Sequence, residues 1–268
     1  MSPVIAANNV LHKIGETAKQ RVLEAQKLRS LAQIQDEWRG VQPKPKDFAK
    51  AFVHDWNVIA EVKKASPSQG DIAADIDHML VAQDYLNNGA AALSVLTEPL
   101  FFKGKIDYLV DIRKSFKDAY ILQKDFVVDI YQIYEAALIG ADSILLIVAM
   151  LGEKQTKSLY EAARQIGISV LMEVHDRNEL EIAKRIGATL IGVNNRNLKD
   201  MSISLDNSRD LIDHMPANAI PITESGLTSH ADLVELKALG YKAFLVGTQL
   251  MQGGQPGKAL KELCGYGD

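Results

Sequence analysis

The chain has 268 residues, of which 47% are hydrophobic and 24% charged, and its formal net charge is -4. These values are typical of a globular protein, and the length suits two small domains or one large α/β domain. No basic block supplies the electrostatic footprint of a nucleic-acid-binding protein, and no apolar run reaches the roughly 18 residues of a membrane span. The first ten residues lack the features of a signal peptide, so we expect a cytoplasmic protein.

The cysteine and histidine content argues against a disulfide or a metal site. Cys264 is the single cysteine and no nucleophile motif surrounds it, so we expect a passive thiol. The six histidines form no HxH or HExxH spacing, so we expect no metal ligand set.

The N-terminal region predicts a helical extension ahead of the main fold. Apolar residues recur at three- and four-residue steps from Asn8 to about Leu31, which indicates an amphipathic helix. Residues 41–52 contain Pro43 and Pro45 and predict a semi-rigid connector. The modest charge of the helix favours packing against its own domain over binding to a membrane or a partner. We therefore divide the chain into an extension, 1–57, and a catalytic fold, 58–268.

One unit then repeats eight times. Each unit has an apolar run that ends in polar or charged residues, followed by a stretch with helical period, and several of these stretches end at a glycine. The eight runs are residues 58–64, 92–98, 120–126, 143–149, 170–176, 190–196, 220–226 and 243–249. Near-continuously apolar strands that alternate with helices predict a parallel sheet covered by helices.

Two architectures fit such a sheet, an open doubly wound sheet and a closed (β/α)8 TIM barrel. The open sheet usually has fewer strands and a glycine-rich turn after the first one. No GxGxxG or GxxxxGK[ST] follows any of the eight runs. The sequence therefore favours a single (β/α)8 barrel with an N-terminal helical extension.

In a barrel, the polar residues that end the strands meet on one face. Strand period two places Glu61 and Lys63 on the same side of the first strand, with Val62 and Lys64 on the other. Charged residues flanked by apolar strand residues are costly unless they are paired or functional. The predicted constellation contains Glu61, Lys63, Glu98, Lys124, Asp125, Glu173, Asn194, Arg196, Glu224, Ser225, Gly247 and Thr248. For Glu98 and Asp125, a charge in a solvated loop is as good an interpretation as a site residue.

The last two strands predict an anion site. Gly226 and Gly247 permit close approach of the backbone, and Ser225 and Thr248 add hydroxyl donors. Phosphate commonly binds between the loops after strands seven and eight of such barrels, beside a short extra helix. The segment at 250–260 is a candidate start for that helix. Tight turns without a ligand are the simpler alternative for these glycines.

These motifs resemble the indole-3-glycerol phosphate synthase family. The matching segments are IAEVKKASPSQG, SVLTEPLFFKG, LQKDFVVD, LMEVHD, IGVNNRNL, ITESGL and AFLVGTQLM, which span Ile59 to Met251 in the family's order. The resemblance implies ring closure of 1-(2-carboxyphenylamino)-1-deoxyribulose 5-phosphate to indole-3-glycerol phosphate in tryptophan biosynthesis, with loss of carbon dioxide and water. It also implies a cytoplasmic monomer that needs no cofactor.

The resemblance also implies a role for each site residue. Lys124 is the expected general acid and Glu173 the proton acceptor, with Lys63 as a second ammonium, Glu61 positioning the lysines and Asn194 orienting Glu173. Ser66 and Arg196 are expected to bind the anthranilate carboxylate, and Phe126, with Leu146 and Leu245 or their inward neighbours, is expected to contact the aromatic ring. Glu224 is expected to contact the sugar hydroxyls or the lysines. The expected phosphate-binding residues are Ser225, Gly226, Gly247 and Thr248. Pro67 and the loop after the first strand are expected to form a lid.

Two alternatives remain at this point. Another phosphate-binding barrel, such as a sugar-phosphate isomerase, would share Gly226 and Gly247 but would not need Glu61, Lys63 and Lys124 together. A catalytically silent barrel that serves as a binding subunit would carry idle buried charges, which destabilise a fold.

Overall fold

The computed structural model describes residues 7–66, 70–71, 77–197 and 201–267. Pro67 lies outside these ranges, and the expected lid loop after the first strand is described only at residues 63–66, 70–71 and 77. The strands are β1 (Val58–Val62), β2 (Ala65–Ser66), β3 (Gly70–Asp71), β4 (Ala92–Leu96), β5 (Ile121–Lys124), β6 (Ser143–Ile147), β7 (Ser169–Val174), β8 (Leu190–Asn194), β9 (Ile220–Glu224) and β10 (Ala243–Val246).

The helices of the described residues follow the strands in alternation. They are α1 (Ala7–Leu28), α2 (Leu31–Val41), α3 (His78–Asn87), α4 (Ile106–Ser115), α5 (Ile130–Ile139), α6 (Val148–Ile166), α7 (Arg177–Ile186), α8 (Asp206–Ile212), α9 (His230–Leu239), α10 (Thr248–Met251) and α11 (Pro256–Leu263), with a 3₁₀ helix at Phe48–Ala51. Helix α6 contains a kink at Gly152.

Strands β1 and β4 to β10 close into a barrel, with each strand beside the next in the chain and β10 paired with β1. Every pairing in the barrel is parallel, whereas β2 and β3 form a separate antiparallel hairpin. The predicted (β/α)8 architecture is therefore confirmed, and the open doubly wound sheet is excluded. The strands are shorter than predicted: β6 ends at Ile147, and the next residues already belong to α6.

Alternate residues of each strand face opposite sides of the barrel wall, as strand geometry requires. The interior cluster includes Ile59, Leu145, Leu171 and Leu245, and the outward neighbours pack against the ring of helices. Phe48 is fully buried in the interior cluster, and its N–H donates to Ser169 Oγ at the start of β7. The 3₁₀ helix therefore closes the amino-terminal end of the barrel and leaves the carboxyl end for the site.

The helix-ending glycines have the conformation that the sequence predicted. Gly167 and Gly187 are the C-caps of α6 and α7, with φ of 86° and 79°. A residue with a β-carbon is strained in this left-handed region, so glycine permits the immediate return to the next strand.

The N-terminal extension contains two helices where the sequence predicted one. The chain leaves α1 at Leu28, and Ser30 starts α2 through a capping box in which Gln33 returns the hydrogen bond. Helix α2 packs on α5, where the rings of Trp38 and Tyr134 meet edge to face at 5.6 Å. Helix α1 contributes Val10, Leu11 and Ile14 to the cavity described below. The division at residue 57 stays a prediction.

Cys264 is buried, and burial raises the pKa of its thiol to about 11. A thiol in this state is a poor nucleophile, as expected of a passive cysteine. Among the described residues, no helix has the length and apolar character needed to cross a membrane.

Candidate active site

A cavity of about 370 Å³ opens at the carboxyl ends of the barrel strands. Apart from Leu146 and Leu245, which are treated with the apolar wall below, thirteen site residues were predicted, and the cavity brings together twelve of them: Glu61, Lys63, Lys124, Phe126, Glu173, Asn194, Arg196, Glu224, Ser225, Gly226, Gly247 and Thr248. Ser66, the thirteenth, belongs to β2, and its side chain is outside what the structure describes.

Lys124 lies between two carboxylates at the centre of the cavity. Its Nζ donates to Glu224 Oε2 at 3.1 Å and lies 3.5 Å from Glu173 Oε2. These side chains come from β5, β9 and β7, so three separate strands converge on one ammonium. Burial alone would lower the pKa of Lys124, but Glu224, Glu173 and Glu61 outweigh it and raise the pKa. Lys124 is therefore protonated in the free site.

The two carboxylates beside Lys124 differ in proton affinity. Burial raises the pKa of both. For Glu173, Lys124, His175 and Asn194 oppose burial and hold the pKa below its usual range. For Glu224, burial and the negative charge of Glu173 outweigh Lys124, so the pKa is raised. The site thus pairs an ionised carboxylate with one that protonates more readily, which is a common basis for dividing acid and base roles.

Glu61 and Lys63 form a second ion pair, with Lys63 Nζ 2.7 Å from Glu61 Oε1. Both side chains point into the cavity, whereas Lys64 points away and lies over the Tyr108 ring at 5.0 Å. The facing predicted from strand period two is confirmed. Burial would raise the pKa of Glu61, but Lys63 and Lys124 lower it, so this carboxylate is ionised.

Asn194 and Arg196 lie at the end of β8. The backbone N–H of Arg196 donates to Asn194 Oδ1 at 3.0 Å, and the Asn194 side chain hydrogen-bonds to Glu173. Arg196 Nη1 donates to the carbonyl of Met201 at 3.3 Å. Burial lowers the pKa of Arg196, partly offset by Glu61. The guanidinium thus lines the cavity and uses one donor on the Met201 carbonyl.

Two consecutive residues in the left-handed conformation, Ser225 and Gly226, form the turn after β9, with φ of 67° and 82°. Asn195, which the sequence analysis passed over, holds this turn: its Nδ2 donates to the carbonyls of Glu224 at 3.1 Å and Ser225 at 3.0 Å. Beside this turn, α10 begins at Thr248 with Gly247 as its N-cap. One short helix therefore starts immediately after β10, and α11 starts at Pro256, within residues 250–260 as predicted.

Gly247 creates space for the ion pair of Glu61 and Lys63. A β-carbon at this position would collide with Glu61 Oε1 and lie 2.9 Å from Lys63 Nζ. The sequence analysis linked this glycine only to close backbone approach by an anion. Its missing side chain also admits the charged pair beside it.

The apolar wall of the cavity comes from inward-facing strand residues. Phe126 and Leu245 belong to it, as predicted, and Phe102 lies beside Phe126 with ring centroids 5.9 Å apart. Leu146 does not, because it faces the helices, and its inward neighbours Leu145 and Ile147 line the cavity instead. The sequence predicted either these leucines or their inward neighbours, since an unbroken apolar run does not reveal which residues face inward.

The model of the indole-3-glycerol phosphate synthase family matches residues 11–263. The chain belongs to this family. An indole-3-glycerol phosphate synthase of Polaromonas sp. is 43% identical over 263 residues, covering 96% of this chain and 99% of the relative. The Chlorobium limicola enzyme of the same name is 44% identical over 243 residues, with coverage of 90% and 93%. Membership makes the chain a carboxy-lyase of tryptophan biosynthesis with a small phosphate substrate.

Solved structures outside the indole-3-glycerol phosphate synthase family share the fold. The 3-hexulose-6-phosphate synthase of Salmonella typhimurium superposes with a TM-score of 0.63 at 12% identity, covering 77% of this chain and 96% of that one. KGPDC from Streptococcus mutans gives 0.59 at 15% identity, with coverage of 78% and 96%. At these identities the likeness concerns the barrel alone.

Two acids of the predicted constellation have structural roles in this synthase-family chain. Asp125 accepts two hydrogen bonds from Arg21 of α1, at 2.6 and 3.2 Å, and one from Thr97 at 2.6 Å. Glu98 is fully buried and accepts the backbone N–H groups of residues 100, 101 and 102, which fixes the loop after β4. Neither is a solvated loop charge, since both order the rim of the cavity.

Across the described parts of the chain, no group of three or more histidine, cysteine, aspartate or glutamate side chains is arranged to hold a metal ion. The polar groups of the cavity are ammonium, guanidinium, carboxylate, amide and hydroxyl groups. Such a set suits proton transfer and anion binding.

Proposed function

We propose that the chain closes the ring of 1-(2-carboxyphenylamino)-1-deoxyribulose 5-phosphate through proton transfers by its own side chains, without a cofactor. The observation that carries this proposal is the position of Lys124 between Glu173 and Glu224, inside a cavity with apolar walls. The reaction needs a proton donor for a ketone oxygen beside an aromatic ring, and this arrangement supplies a protonated amine in that setting.

In the first step, Lys124 acts as the general acid. Its ammonium donates a proton to the ketone oxygen while the ring carbon that bears the carboxylate attacks the carbonyl carbon. The electrons of the broken carbon–carbon bond return to the ring system as carbon dioxide leaves. Lys63 is the second ammonium, and Glu61, 2.7 Å from Lys63 Nζ, holds it in place. The charge of Glu61 also favours the protonated form of Lys124.

In the later step, the new hydroxyl leaves as water after protonation, and a proton leaves the substrate to complete the aromatic indole. Glu173 is the proton acceptor, which agrees with its ionised state. Asn194 orients it through their hydrogen bond. Glu224 serves the catalytic lysine directly, since it is the carboxylate nearest to Lys124 Nζ. Its Oε1 has no hydrogen-bond partner among the described residues and is available to a sugar hydroxyl.

Substrate binding divides between two ends of the cavity. Arg196, with Ser66, binds the anthranilate carboxylate, because a guanidinium offers a planar pair of donors. The apolar wall around Phe126 holds the aromatic ring. The turn at 225–226 lies beside the start of α10, because β9 and β10 are paired. Ser225, Gly226, Gly247 and Thr248, with Lys63, bind the phosphate at that end.

We also propose that the protein acts as a cytoplasmic monomer that binds no nucleic acid. The net charge of -4 without a basic block supports the last point. The two competing functions lose support from the same geometry. A silent binding barrel would bury three carboxylates and two ammonium groups in its cavity without need, and a simple isomerase would not require both lysines.

The deciding experiment is a fluorescence assay for indole-3-glycerol phosphate formation from the proposed substrate, run with a chelator present. We expect product from the wild type, and we expect Lys124→Ala to lower kcat by about 10²- to 10⁴-fold, the usual scale for loss of a general acid. Lys154→Ala, which removes an exposed lysine of α6, is the control and should match the wild type. Normal turnover by Lys124→Ala would remove Lys124 from the mechanism, and activity abolished by the chelator would overturn the cofactor-free proposal.

A further inference from the structure

His175 lies between two carboxylates just after β7. Its Nε2 is 3.2 Å from Glu173 Oε1, an ion-pair distance without hydrogen-bond alignment, and its Nδ1 hydrogen-bonds to Glu179 Oε2 at 3.1 Å. The side chain is only 10% exposed, and it does not belong to the cavity lining. His175 belongs to the segment LMEVHD, but its position in the sequence does not indicate a role.

Glu179 is held firmly, so the imidazole has a fixed outer partner. The backbone N–H of His175 also donates to Glu179 Oε2 at 2.8 Å, and Asp176 caps the same turn by accepting the N–H of Glu179 at 2.9 Å. Because a carboxylate oxygen lies within 3.2 Å of each ring nitrogen, the two negative charges favour the protonated imidazole. Burial lowers the pKa of His175, but Glu173 and Glu179 outweigh burial and raise it to about 10.

The result is a row of alternating charges that runs from the surface into the cavity: Glu179, His175, Glu173, Lys124 and Glu224. Each oxygen of Glu173 has its own cation, His175 at Oε1 and Lys124 at Oε2. The other groups that face Glu173 are Asn194 on β8 and the carboxylates of Glu224 on β9 and Glu61 on β1.

We propose that His175 is a positioning residue, which holds Glu173 ionised and aimed into the cavity while Lys124 is without its proton. The inference rests on the proposed function, because it assumes that Lys124 donates a proton and that Glu173 later accepts one. After Lys124 has donated, Glu224 and Glu61 act on Glu173 as like charges, and His175 is the cation that stays in contact with the Glu173 carboxylate, since Lys63 pairs with Glu61. His175 keeps its own proton, since it does not reach the cavity.

The test compares His175→Gln with the wild type in kcat, KM and the pH profile of kcat. Glutamine retains a donor near Glu173 but carries no charge, so the substitution isolates the charge. We expect kcat to fall by about 10- to 10²-fold with little change in KM. We also expect the acid limb of the profile to move up by about one to three pH units, the usual effect of one nearby opposite charge. Glu181→Gln is the control and should match the wild type, because Glu181 is an exposed acid on α7, the helix that carries Glu179.

A second measurement does not depend on the variant's folding. Nitrogen-15 NMR of the wild type should show one imidazole that stays doubly protonated at pH 8.5, and Glu179→Gln should lower the pKa of that ring. If every histidine ring of the wild type titrates near the ordinary pKa of about 6.5, the proposal is overturned.

Glu173→Gln separates the two ideas. If it is inactive while folded His175→Gln keeps the wild-type kcat and acid limb, His175 has no positioning role and the proposed function stands. If Glu173→Gln turns over normally, the proposed role of Glu173 fails, and the inference fails with it.

Discussion

The carboxylate of Glu224 occupies the space that a β-carbon on Gly192 would need. Gly192 lies in β8, beside β9, and its missing side chain lets Glu224 turn toward Lys124. Glu224 is 1% exposed, and its Oε1 has no hydrogen-bond partner among the described residues. Gly192 therefore shapes the site without contributing a functional group. Gly247 does the same for Glu61.

We expect Gly192→Ala to lower kcat by about tenfold or more, because the methyl group would displace Glu224 from Lys124 and leave the ammonium with a poorer geometry. Overpacking of this kind also costs about 1 to 3 kcal/mol of stability. The measurements are steady-state kinetics and urea unfolding. The control is Gly40→Ala in α2, where a β-carbon meets nothing within 4 Å. That change should leave kcat unaltered and stabilise the helix by up to about 1 kcal/mol. A wild-type kcat in Gly192→Ala would contradict this account.

The ion pair between Arg21 and Asp125 fastens α1 to the barrel rim, and Asp125 is only 4% exposed. Arg21→Ala should destabilise the protein by about 1 to 3 kcal/mol, because it removes two charged hydrogen bonds from a buried carboxylate. It should also raise KM, since Val10, Leu11 and Ile14 of the same helix line the cavity. Urea unfolding and substrate titration test both effects.

Arg39→Ala is the matched control for Arg21, because Arg39 pairs with Asp36 at the surface, with both side chains more than half exposed. Such pairs contribute about 0 to 1 kcal/mol. If Arg21→Ala leaves both the unfolding midpoint and KM at the control values, then α1 does not depend on this contact.

Thr248→Ala tests the phosphate end of the cavity. Since phosphate does not react, its contacts are equally strong in the ground and transition states, and their loss should raise KM with kcat nearly constant. Loss of one hydrogen bond to a charged group corresponds to about a 10- to 10²-fold rise in KM. Thr248→Ser keeps the hydroxyl and should remain close to the wild type. A fall in kcat at constant KM would argue against the phosphate role.

The sequence predicted the barrel and most of its site, because parallel strands of one barrel all end on the same face. A repeated pattern of apolar runs with polar ends is therefore enough to place Glu61, Lys124 and Glu173 on one face of the barrel. The sequence does not show which residues of a continuous apolar run face the inside of the barrel. Leu145 and Leu146 are chemically alike, and only the tilt and pairing of β6 decide which one faces the cavity.

The sequence also did not predict residues that leave room for, or hold in place, other residues of the site. Gly192 has no side chain to attract attention, and its importance depends on a glutamate 32 positions later in the chain. Asn195 sits between two predicted site residues, but its role in holding the turn at Ser225 appears only when β8 and β9 are paired. Helix α2 is a different case, because its start at Ser30 and Gln33 is a capping box that could have been recognised from the sequence.

The stability of the fold should depend on pH through His175. Its pKa in the folded protein is about 10, against about 6.5 for an ordinary histidine. The folded state thus binds this proton more tightly than the unfolded chain. The resulting stabilisation is complete below about pH 6.5 and is lost as the pH rises toward 10, with a slope of up to about 1.4 kcal/mol per pH unit. We therefore expect the difference in unfolding free energy between the wild type and His175→Gln to shrink steadily over this interval. Urea titrations at pH 6, 7, 8 and 9 measure this difference, with Glu181→Gln as the control, and a difference that stays constant across the series would mean that the imidazole is not charged in the fold.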